Sequence, residues 1–313
     1  MSLGKLILEC NRLWKNNSKS PEQIQAESLS AFRRMAEYAW NKTSFYPEFW
    51  GRCGINSRNL MSVRPEDIPV ITKDDVRANP EKIAAFPLKK NKNGEWDPGR
   101  HAIPVHSSGS TGLPSAFFYA KSAITKTEAN FLRLSNEAGN NMVRWTDLPI
   151  KNIHAASVGA GYASSTLLIG GLSKYHARCI ILNASEPLDE WREKIGDFKP
   201  NFLSGYPSCI ELLLGLQKNG SIDLHPLKII TGGEPLKANI MKELTEYFGA
   251  DVIDFYGCTE SLIIGAGGSS FDGLYLFDDM NYCETDESGR LIITPLYNPA
   301  FPLIRYKMDD LTD

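Results

Sequence analysis

Hydroxyl-bearing residues and glycines alternate in one short stretch of the chain, Ser107-Ser108-Gly109-Ser110-Thr111-Gly112. Glycine lets backbone N–H groups approach phosphate oxygens because no Cβ stands in the way, and the Ser and Thr hydroxyls add donors that carry no charge. The stretch therefore predicts a loop that binds a polyphosphate. A serine-glycine hairpin turn that binds no ligand is the alternative interpretation.

The residues on either side of this loop distinguish it from a Walker-type P-loop, in which Lys and then Ser or Thr follow the last glycine and open a helix. Here Leu113-Pro114-Ser115-Ala116 follows, and then the aromatic run Phe117-Phe118-Tyr119. Because Ile103-Pro104-Val105-His106 precedes the loop, we expect it to connect two strands. This context argues against a P-loop NTPase.

A second group of candidate residues lies between positions 232 and 260. Gly232-Gly233 can lie flat against a planar ring, and Tyr256 can stack on the other face, which suits an adenine. Thr259 offers a hydroxyl to a phosphate oxygen, whereas the carboxylate of Glu260 would repel phosphate unless a divalent cation lay between them. The pattern therefore predicts Mg²⁺ at Glu260. Taken singly, a loop Tyr, an N-cap Thr and a first-turn Glu are the alternatives.

The third candidate is a carboxylate near the end of the sequence. A strand is predicted to begin at Pro302 and to lead into two acidic residues, Asp309 and Asp310. One carboxylate can accept hydrogen bonds from both hydroxyls of a ribose. Asp310 is the candidate for that role, and an acidic turn is the alternative.

These residues need elements that bring them together, and the sequence from about 150 to 260 predicts them. Helices are expected from Pro207 to Leu216 and from Ala238 to Phe248, between short apolar strands. The strands are Asn152–Ala156, Cys179–Leu182, Asn201–Ser204, Leu227–Thr231 and Asp251–Phe255. This alternation predicts a parallel sheet. Ligands bind outside the carboxyl ends of such strands, so the last three ends are expected to line one crevice.

The first hundred residues are predicted to be an N-terminal helical segment, and residues 101–313 the α/β core, with mainly parallel sheets flanked by helices. Apolar residues recur at helical spacing from Pro21 to Trp40, with Ser20 placed to cap the helix start. A second helix start is expected near Thr72.

Composition limits the function classes. The chain has 313 residues, a formal net charge of −3 and a pI near 6.0. Its basic run Leu88-Lys89-Lys90-Asn91-Lys92 is expected to be a solvated loop. The net charge and the lack of any other basic stretch argue against a nucleic-acid partner. The six cysteines form no Cys-x-x-Cys pair, so we expect reduced thiols without structural zinc. No stretch is long and apolar enough to span a membrane, and a cytoplasmic location is expected.

Three stretches occur in a characteristic order: Ser-Ser-Gly-Ser-Thr-Gly-x-Pro at 107–114, Tyr-Gly-x-Thr-Glu at 256–260 and Arg-Tyr-x-x-x-Asp at 305–310. Together they resemble the adenylate-forming acyl-CoA synthetase superfamily over nearly the whole chain. Further stretches are similar to its phenylacetate-CoA ligase branch and the capsule-biosynthesis relatives of that branch: Gly205-Tyr206-Pro207-Ser208, Gly233-Glu234-Pro235, Gly170-Gly171-Leu172 and Pro302-Leu303-Ile304-Arg305-Tyr306.

The resemblance implies a ligase that uses ATP, Mg²⁺ and coenzyme A. A carboxylate attacks the α-phosphorus of ATP, which gives an acyl-adenylate and pyrophosphate, and a thiol then displaces AMP. The resemblance also assigns residues of this sequence to each part of the ligands. The β- and γ-phosphates would be bound by Ser107, Ser108, Gly109, Ser110, Thr111 and Gly112, and adenine by Gly233, Glu234, Pro235 and Tyr256, with Asp254 and Gly257 beside them. Thr259 would bind the α-phosphate, Glu260 Mg²⁺ and Asp310 the ribose, and the acyl group would contact Ala160, Tyr162, Gly171 and Cys258.

The sequence departs from the family pattern at three places. Leu113 stands where the family often has Lys, and Asp309 replaces the usual Gly before the ribose aspartate. The family's C-terminal lid domain, with its lysine, is expected to be absent from these 313 residues, so we expect nucleotide binding with poor adenylation. His106 and His154 are expected to be structural, because a carboxylate nucleophile is already ionised at neutral pH.

Two further hypotheses remain open. One is an adenylating enzyme that passes its acyl group to an acceptor other than coenzyme A, in polysaccharide biosynthesis. The other is a lidless nucleotide-binding module without turnover. The expected partners are an aromatic or compact carboxylic acid, ATP and coenzyme A, and a homodimer remains open.

Overall fold

The computed structural model describes residues 3–106, 116–137, 149–157, 178–269 and 272–311. The chain divides into two units, of which the first comprises Met1–Ala129 with Phe277–Asp313 and the second Asn130–Leu276. The helical segment predicted for residues 1–100 lies within the first unit. Its separation from a core at residue 100 stays a prediction.

The helices of the first unit follow the local sequence signals. They are α1 (Leu3–Asn17), α2 (Pro21–Lys42), α3 (Phe45–Gly51), α4 (Lys73–Ala78) and α5 (Pro80–Ile83), with a 3₁₀ turn at Pro65–Asp67 and α6 (Lys121–Glu137) starting in this unit. Ser20 and Gln23 form a capping box at the start of α2, and Thr72 and Asp75 form another before α4. Both predicted helix starts are thus confirmed. None of the described helices has the length and apolar character needed to cross a membrane.

The strands of the first unit are all antiparallel pairs. They are β1 (Lys89–Lys90), β2 (Trp96–Asp97), β3 (Ile103–His106), β4 (Ala116–Tyr119), β12 (Asn281–Thr285), β13 (Arg290–Pro295) and β14 (Tyr306–Leu311). β3 and β4 flank the predicted phosphate loop in sequence, so the expectation that it connects two strands is confirmed. The basic run at 88–92, expected to be a loop, instead contributes β1 to a short hairpin.

The strand predicted from Pro302 begins only at Tyr306, and Arg305 explains the difference. Its backbone has φ 52°, the left-handed region that interrupts an extended chain. The buried guanidinium donates from Nε to Glu284 at 2.9 Å and from Nη1 to the carbonyl of Glu66 at 2.8 Å. These contacts stabilise the unusual backbone, because moving Arg305 would leave the partly buried carboxylate of Glu284 without its partner.

The second unit is built on a seven-stranded sheet with the order β11-β10-β9-β8-β7-β5-β6. Its strands are β5 (Lys151–Ala156), β6 (Arg178–Asn183), β7 (Phe202–Gly205), β8 (Lys228–Gly232), β9 (Asp251–Tyr256), β10 (Gly265–Gly268) and β11 (Tyr275–Leu276). The five strands from β5 to β9 are parallel, and β10 and β11 are antiparallel. The five predicted strands are therefore confirmed, each to within one residue at either end.

One face of this sheet packs against α7 (Leu188–Ile195), α8 (Pro207–Lys218) and α9 (Ala238–Phe248). The buried cluster between them includes Ile153 and Leu203 of the sheet, Leu213 of α8 and Leu244 of α9, all fully buried. Both predicted helices of this region are confirmed, and the molecule is α/β with a mainly parallel central sheet flanked by helices, as the sequence predicts.

Candidate nucleotide site

Three neighbouring strands of the sheet end at the same edge. Gly205 of β7 lies opposite Thr231 of β8, and Gly232 of β8 lies opposite Phe255 of β9. Because the strands are parallel, the residues that follow each of them leave the sheet side by side. The predicted alignment of these three ends is confirmed, and it brings the segments that begin at Tyr206, Gly233 and Gly257 to one edge.

Glycine is required at the end of β7 because two backbones approach closely there. Gly205 has φ 141°, and a Cβ at this position would lie 1.9 Å from the carbonyl oxygen of Ala155. That carbonyl accepts a hydrogen bond from the N–H of Tyr206 at 2.9 Å. The glycine therefore lets the chain turn out of the sheet directly beside its neighbour strand and into α8.

An aromatic ring lies against Gly233, and it is the ring of Tyr206. A Cβ on Gly233, whose φ is 84°, would lie 2.9 Å from Cε1 of Tyr206. The sequence predicts that this glycine lies flat against a planar ring, but it assigns no role to Tyr206. Its position directly after β7 is the signal that could have identified it. The Tyr206 ring is therefore part of the surface at this edge.

The two residues after Gly233 are exposed. Oε2 of Glu234 accepts a hydrogen bond from the backbone N–H of Ser208 at 3.2 Å, in the first turn of α8. A carboxylate at a helix N-terminus is favourable because it compensates orphan N–H groups and the helix dipole. This contact connects the segments after β7 and β8. Contacts of Glu234 and Pro235 with adenine stay predictions.

Asp254 is held by a cross-strand hydrogen bond. The hydroxyl of Thr231 donates to Oδ1 of Asp254 at 2.6 Å, and the two residues are paired in the ladder between β8 and β9. Burial raises the pKa of the Asp254 carboxyl, and the Thr231 hydrogen bond opposes that rise. Thr231 is a second residue that sequence reasoning missed.

The residues after β9 form a compact turn. The N–H of Ile264 donates to the carbonyl of Tyr256 at 2.9 Å, and the N–H of Cys258 donates to the carbonyl of Ser261 at 2.9 Å. No helix begins in this described segment, so the interpretation of Thr259 as an N-cap does not hold. A Cβ on Gly257 would lie 2.4 Å from the carbonyl oxygen of Leu262, so only glycine fits where the turn closes.

Thr259 and Glu260 interact at the tip of this turn, where the hydroxyl of Thr259 donates to Oε2 of Glu260 at 2.8 Å. Both side chains are partly exposed. Among the described residues there is no group of three or more His, Cys, Asp or Glu side chains that could hold a metal. One carboxylate beside a hydroxyl nevertheless fits Mg²⁺, which proteins usually bind through one or two carboxylates together with substrate phosphates and water.

Cys258 lies in the same turn, and its sulfur accepts a hydrogen bond from the N–H of Ser261 at 3.3 Å. Burial, together with the neighbouring Glu260 carboxylate, raises the pKa of the thiol well above its ordinary value. The thiol is therefore protonated at neutral pH and a poor nucleophile. Its predicted place in the wall of an acyl pocket stays a prediction.

Asp310, the candidate for the ribose, belongs to the first unit. The pairing of β13 with β14 shifts register between Arg290 and Ile292, so Asp309 and Asp310 lie in a bulge of β14 and both are exposed. Arg290 donates from Nη1 to the backbone carbonyl of Asp309 at 3.0 Å. A bulge changes the direction of the side chains it carries. Asp310 therefore lies in a strand irregularity and not in the acidic turn considered as an alternative.

Several predicted residues lie outside the described part of the chain. They are Ser107, Ser108, Gly109, Ser110, Thr111 and Gly112 of the phosphate loop and Ala160, Tyr162 and Gly171 of the acyl pocket. Their roles stay predictions.

His154 lies inside the second unit, on the face of the sheet opposite α8. Asn152 donates from Nδ2 to Oγ of Ser204 at 2.8 Å, and Ser204 Oγ lies 3.0 Å from Nδ1 of His154. Ser204 Oγ accepts from Asn152 and can also donate its own proton to Nδ1 of a neutral imidazole. Burial lowers the pKa of His154 to about 4. The ring is therefore neutral at physiological pH.

This pKa predicts a pH dependence of stability. Between pH 6.5 and about 4 the unfolded chain binds a proton at position 154 and the folded chain does not, so the free energy of unfolding should fall as the pH falls through this window. From pH 7 to pH 5 the loss should be about 2 kcal/mol. Urea unfolding at both pH values measures it, and His154→Gln should remove that part of the loss.

An NMR titration of the His154 ring in the wild type gives a second measurement that does not depend on the variant folding. A His154 titration midpoint above pH 6 would contradict the prediction.

The sequence of the chain is similar to those of known proteins. The chain is 24% identical to phenylacetate-coenzyme A ligase of Pseudomonas putida, over 94% of this chain and 67% of that protein. It is 23% identical to Protein CapK of Staphylococcus aureus, over 98% of this chain and 64% of that protein. The chain thus spans about two thirds of the length of these relatives.

Among solved structures, 2-hydroxyisobutyryl-CoA ligase in complex with 2-HIB-AMP and CoA superposes with a TM-score of 0.70 at 22% identity, covering 94% of this chain and 64% of that one. This likeness supports the fold. Residues 55–283 match the family described as AMP-binding enzyme. The matched range includes the strand ends at Gly205, Gly232 and Tyr256 and extends over well more than half of the sequence, so the chain belongs to the AMP-binding enzyme family.

Proposed function

We propose that this chain contains the nucleotide-binding part of an AMP-forming acid–thiol ligase, which joins a carboxylic acid to coenzyme A through an acyl-adenylate. The observation that carries the proposal is the set of three adjacent parallel strand ends, with Tyr206 against Gly233, Tyr256 at the next end, and Thr259 and Glu260 in the turn that follows. Membership in the AMP-binding enzyme family supports it.

In the proposed reaction a carboxylate oxygen of the acid forms a bond to the α-phosphorus of ATP, and the bond to the pyrophosphate oxygen breaks. The thiol of coenzyme A then forms a thioester, and AMP leaves. This chemistry requires the three phosphates to be fixed while negative charge moves between oxygens. No general base is needed for the first step because the acid is ionised at neutral pH.

The described residues of the site can position the nucleotide. The aromatic ring of Tyr256 offers stacking to the base, and the hydroxyl of Thr259 can donate to an oxygen of the α-phosphate. Donation to phosphate would require Thr259 to give up its hydrogen bond to Glu260, which frees the carboxylate for a cation. Mg²⁺ at Glu260 would neutralise charge on the phosphates. Asp310 is proposed for the ribose.

The nature of the acid is a finer proposal. The similarity to phenylacetate-coenzyme A ligase of Pseudomonas putida supports an aromatic or compact acid. An acceptor other than coenzyme A is the second candidate, since the sequence also resembles capsule-biosynthesis relatives of this branch and the similarity to Protein CapK covers 98% of this chain. Both candidates share the adenylate step, so they differ only in what displaces AMP.

Pyrophosphate release over a panel of acids tests the proposal. With saturating Mg-ATP, the full natural chain should release pyrophosphate when phenylacetate or a similarly compact acid is present, and less with palmitate. Adding coenzyme A should increase turnover if the thiol is the acceptor. No dependence on any acid, together with no binding of AMP at millimolar concentration, would overturn the adenylate step, and a preference for palmitate would overturn the choice of acid.

A further inference from the structure

The first unit contains a cleft that the proposed function does not use. Two adjoining cavities of about 370 Å³ and 240 Å³ lie among α1, α2, α6 and the residues around 279 and 296. Arg12, Arg34 and Asp279 line both of them, and Lys126 lines the larger. Since cavities of this combined size accommodate small organic ligands, we consider what ligand this cationic cleft fits.

Three cations from three different helices converge on the cleft. Arg34 donates to the hydroxyl of Ser30 and has no carboxylate within 4.0 Å among the described residues. Lys126 likewise forms no ion pair or hydrogen bond with a described residue, and its burial lowers its pKa. Arg12 donates from Nε to Glu9 at 2.8 Å, which leaves its Nη groups without a described partner. The cleft therefore contains unused donors with positive charge.

The acidic groups nearby already have partners. Glu27 accepts from Lys19 at 2.7 Å, and Asp279 accepts from Nδ2 of Asn16 at 2.7 Å. With Glu9 bound to Arg12, the three carboxylates in or beside the cleft are each hydrogen-bonded. They reduce the positive charge of the cleft, and the charge of Glu9 acts on Lys126, but none of them forms an ion pair or a hydrogen bond with Arg34 or Lys126. An anion would therefore gain charge-assisted hydrogen bonds there.

A buried hydroxyl provides independent evidence. Ser28 is 5% exposed and lines the smaller cavity, yet its Oγ has no hydrogen-bond partner among the described residues. Buried hydroxyls in folded proteins are nearly always hydrogen-bonded, because an unpaired one carries a desolvation penalty. Ser28 lines the smaller cavity together with Arg12 and Arg34, and its O–H is a further donor. An acceptor-rich ligand in the cleft would remove the penalty.

The remaining wall of the larger cavity is apolar and aromatic, with Met35, Tyr38, Met280, Leu296 and Tyr297. We propose that the cleft binds a phosphate-bearing anion, held by Arg12, Arg34, Lys126 and Ser28. Arginine favours phosphate because its planar fork can donate two parallel hydrogen bonds, and lysine adds a point charge. The apolar wall provides room for an organic group attached to the phosphate. The proposal does not require the ligase activity.

Calorimetry with three probes tests the proposed anion site. The probes are inorganic phosphate, pyrophosphate and adenosine 3′,5′-bisphosphate, in which the phosphates are attached to a nucleoside. At least one should bind saturably. Lys126→Gln and Arg34→Gln should each weaken binding about ten-fold, and Ser28→Ala about three-fold. Tighter binding of the bisphosphate would identify an organic phosphate as the ligand, and equal binding of all three would identify free phosphate or pyrophosphate.

Lys121→Gln is the matched control, because Lys121 lies on the same helix as Lys126, is exposed and does not line the cleft. It should leave anion binding within about two-fold of the wild type. Saturating AMP separates this site from the proposed nucleotide site, since the anion should still bind in its presence and Lys126→Gln should not change AMP affinity. Equal losses from Lys121→Gln and Lys126→Gln, or no saturable binding of any probe, would overturn the proposal.

Discussion

Gly205→Ala is expected to lower the free energy of unfolding strongly. The added Cβ would lie 1.9 Å from the carbonyl oxygen of Ala155, and the residue has φ 141°, where an L side chain is strained. Gly205 and Ala155 are paired on the neighbouring strands β7 and β5, so relief of the clash requires these two strands to separate. We expect a loss of about 4 kcal/mol or more in the free energy of unfolding, out of the roughly 5–15 kcal/mol typical of a native protein.

Two other glycines make this expectation quantitative. At Gly232 a Cβ would lie 2.8 Å from the carbonyl oxygen of Phe255, so Gly232→Ala should destabilise less than Gly205→Ala. A Cβ added at Gly215 would meet no atom within 4 Å, and this residue lies exposed in α8, so Gly215→Ala should stabilise by about 0.5–1 kcal/mol. Urea unfolding gives the order. A Gly205→Ala protein with the wild-type midpoint would show that the strands can separate without cost.

Glu260→Gln and Tyr256→Ala should separate catalysis from nucleotide binding. Glu260→Gln removes the proposed Mg²⁺ ligand, and acid-dependent pyrophosphate release should fall roughly a hundred-fold or more. AMP binding measured without Mg²⁺ should change little. Tyr256→Ala removes the proposed stacking partner of adenine, so AMP should bind about ten-fold more weakly. Asp310→Ala removes the proposed acceptor for the ribose hydroxyls and should weaken AMP binding by a similar factor.

The exposed Glu246 of α9 supplies the control, since Glu246→Gln removes one carboxylate from the same unit and should affect neither quantity. Calorimetry measures AMP affinity, and a coupled assay on the full natural chain measures pyrophosphate. An unchanged rate in Glu260→Gln would remove Glu260 from the metal site. Unchanged AMP affinity in Tyr256→Ala would place the adenine elsewhere.

The strands of the second unit could be predicted because their residues form short apolar runs, which indicate buried strands. Short apolar runs such as those ending at Gly205 and Gly232 follow helical stretches with a regular spacing, and a sheet that is covered on both faces requires continuous apolar strands. The same regularity predicts which strand ends are neighbours, and therefore which candidate residues lie at one edge.

The remaining features depend on contacts between distant residues. Nothing beside Arg305 in the sequence indicates that Glu284 and Glu66 stabilise its left-handed backbone, and so the predicted strand begins too early. The contact of Tyr206 with Gly233 joins residues of different strand ends. The bulge at Asp310 likewise arises from the pairing of β13 with β14.

The turn after β9 has a consequence for the entropy of ligand binding. Its base is closed by the hydrogen bond from Ile264 to Tyr256, and its interior by the bond from Cys258 to Ser261. A loop that orders only around its ligand spends part of the interaction free energy on lost conformational freedom. Here that cost is met during folding, so Thr259 and Glu260 are held on a shaped backbone before any ligand arrives. Ordering of the backbone therefore adds little to the cost of the ligand contacts proposed for Thr259 and Glu260.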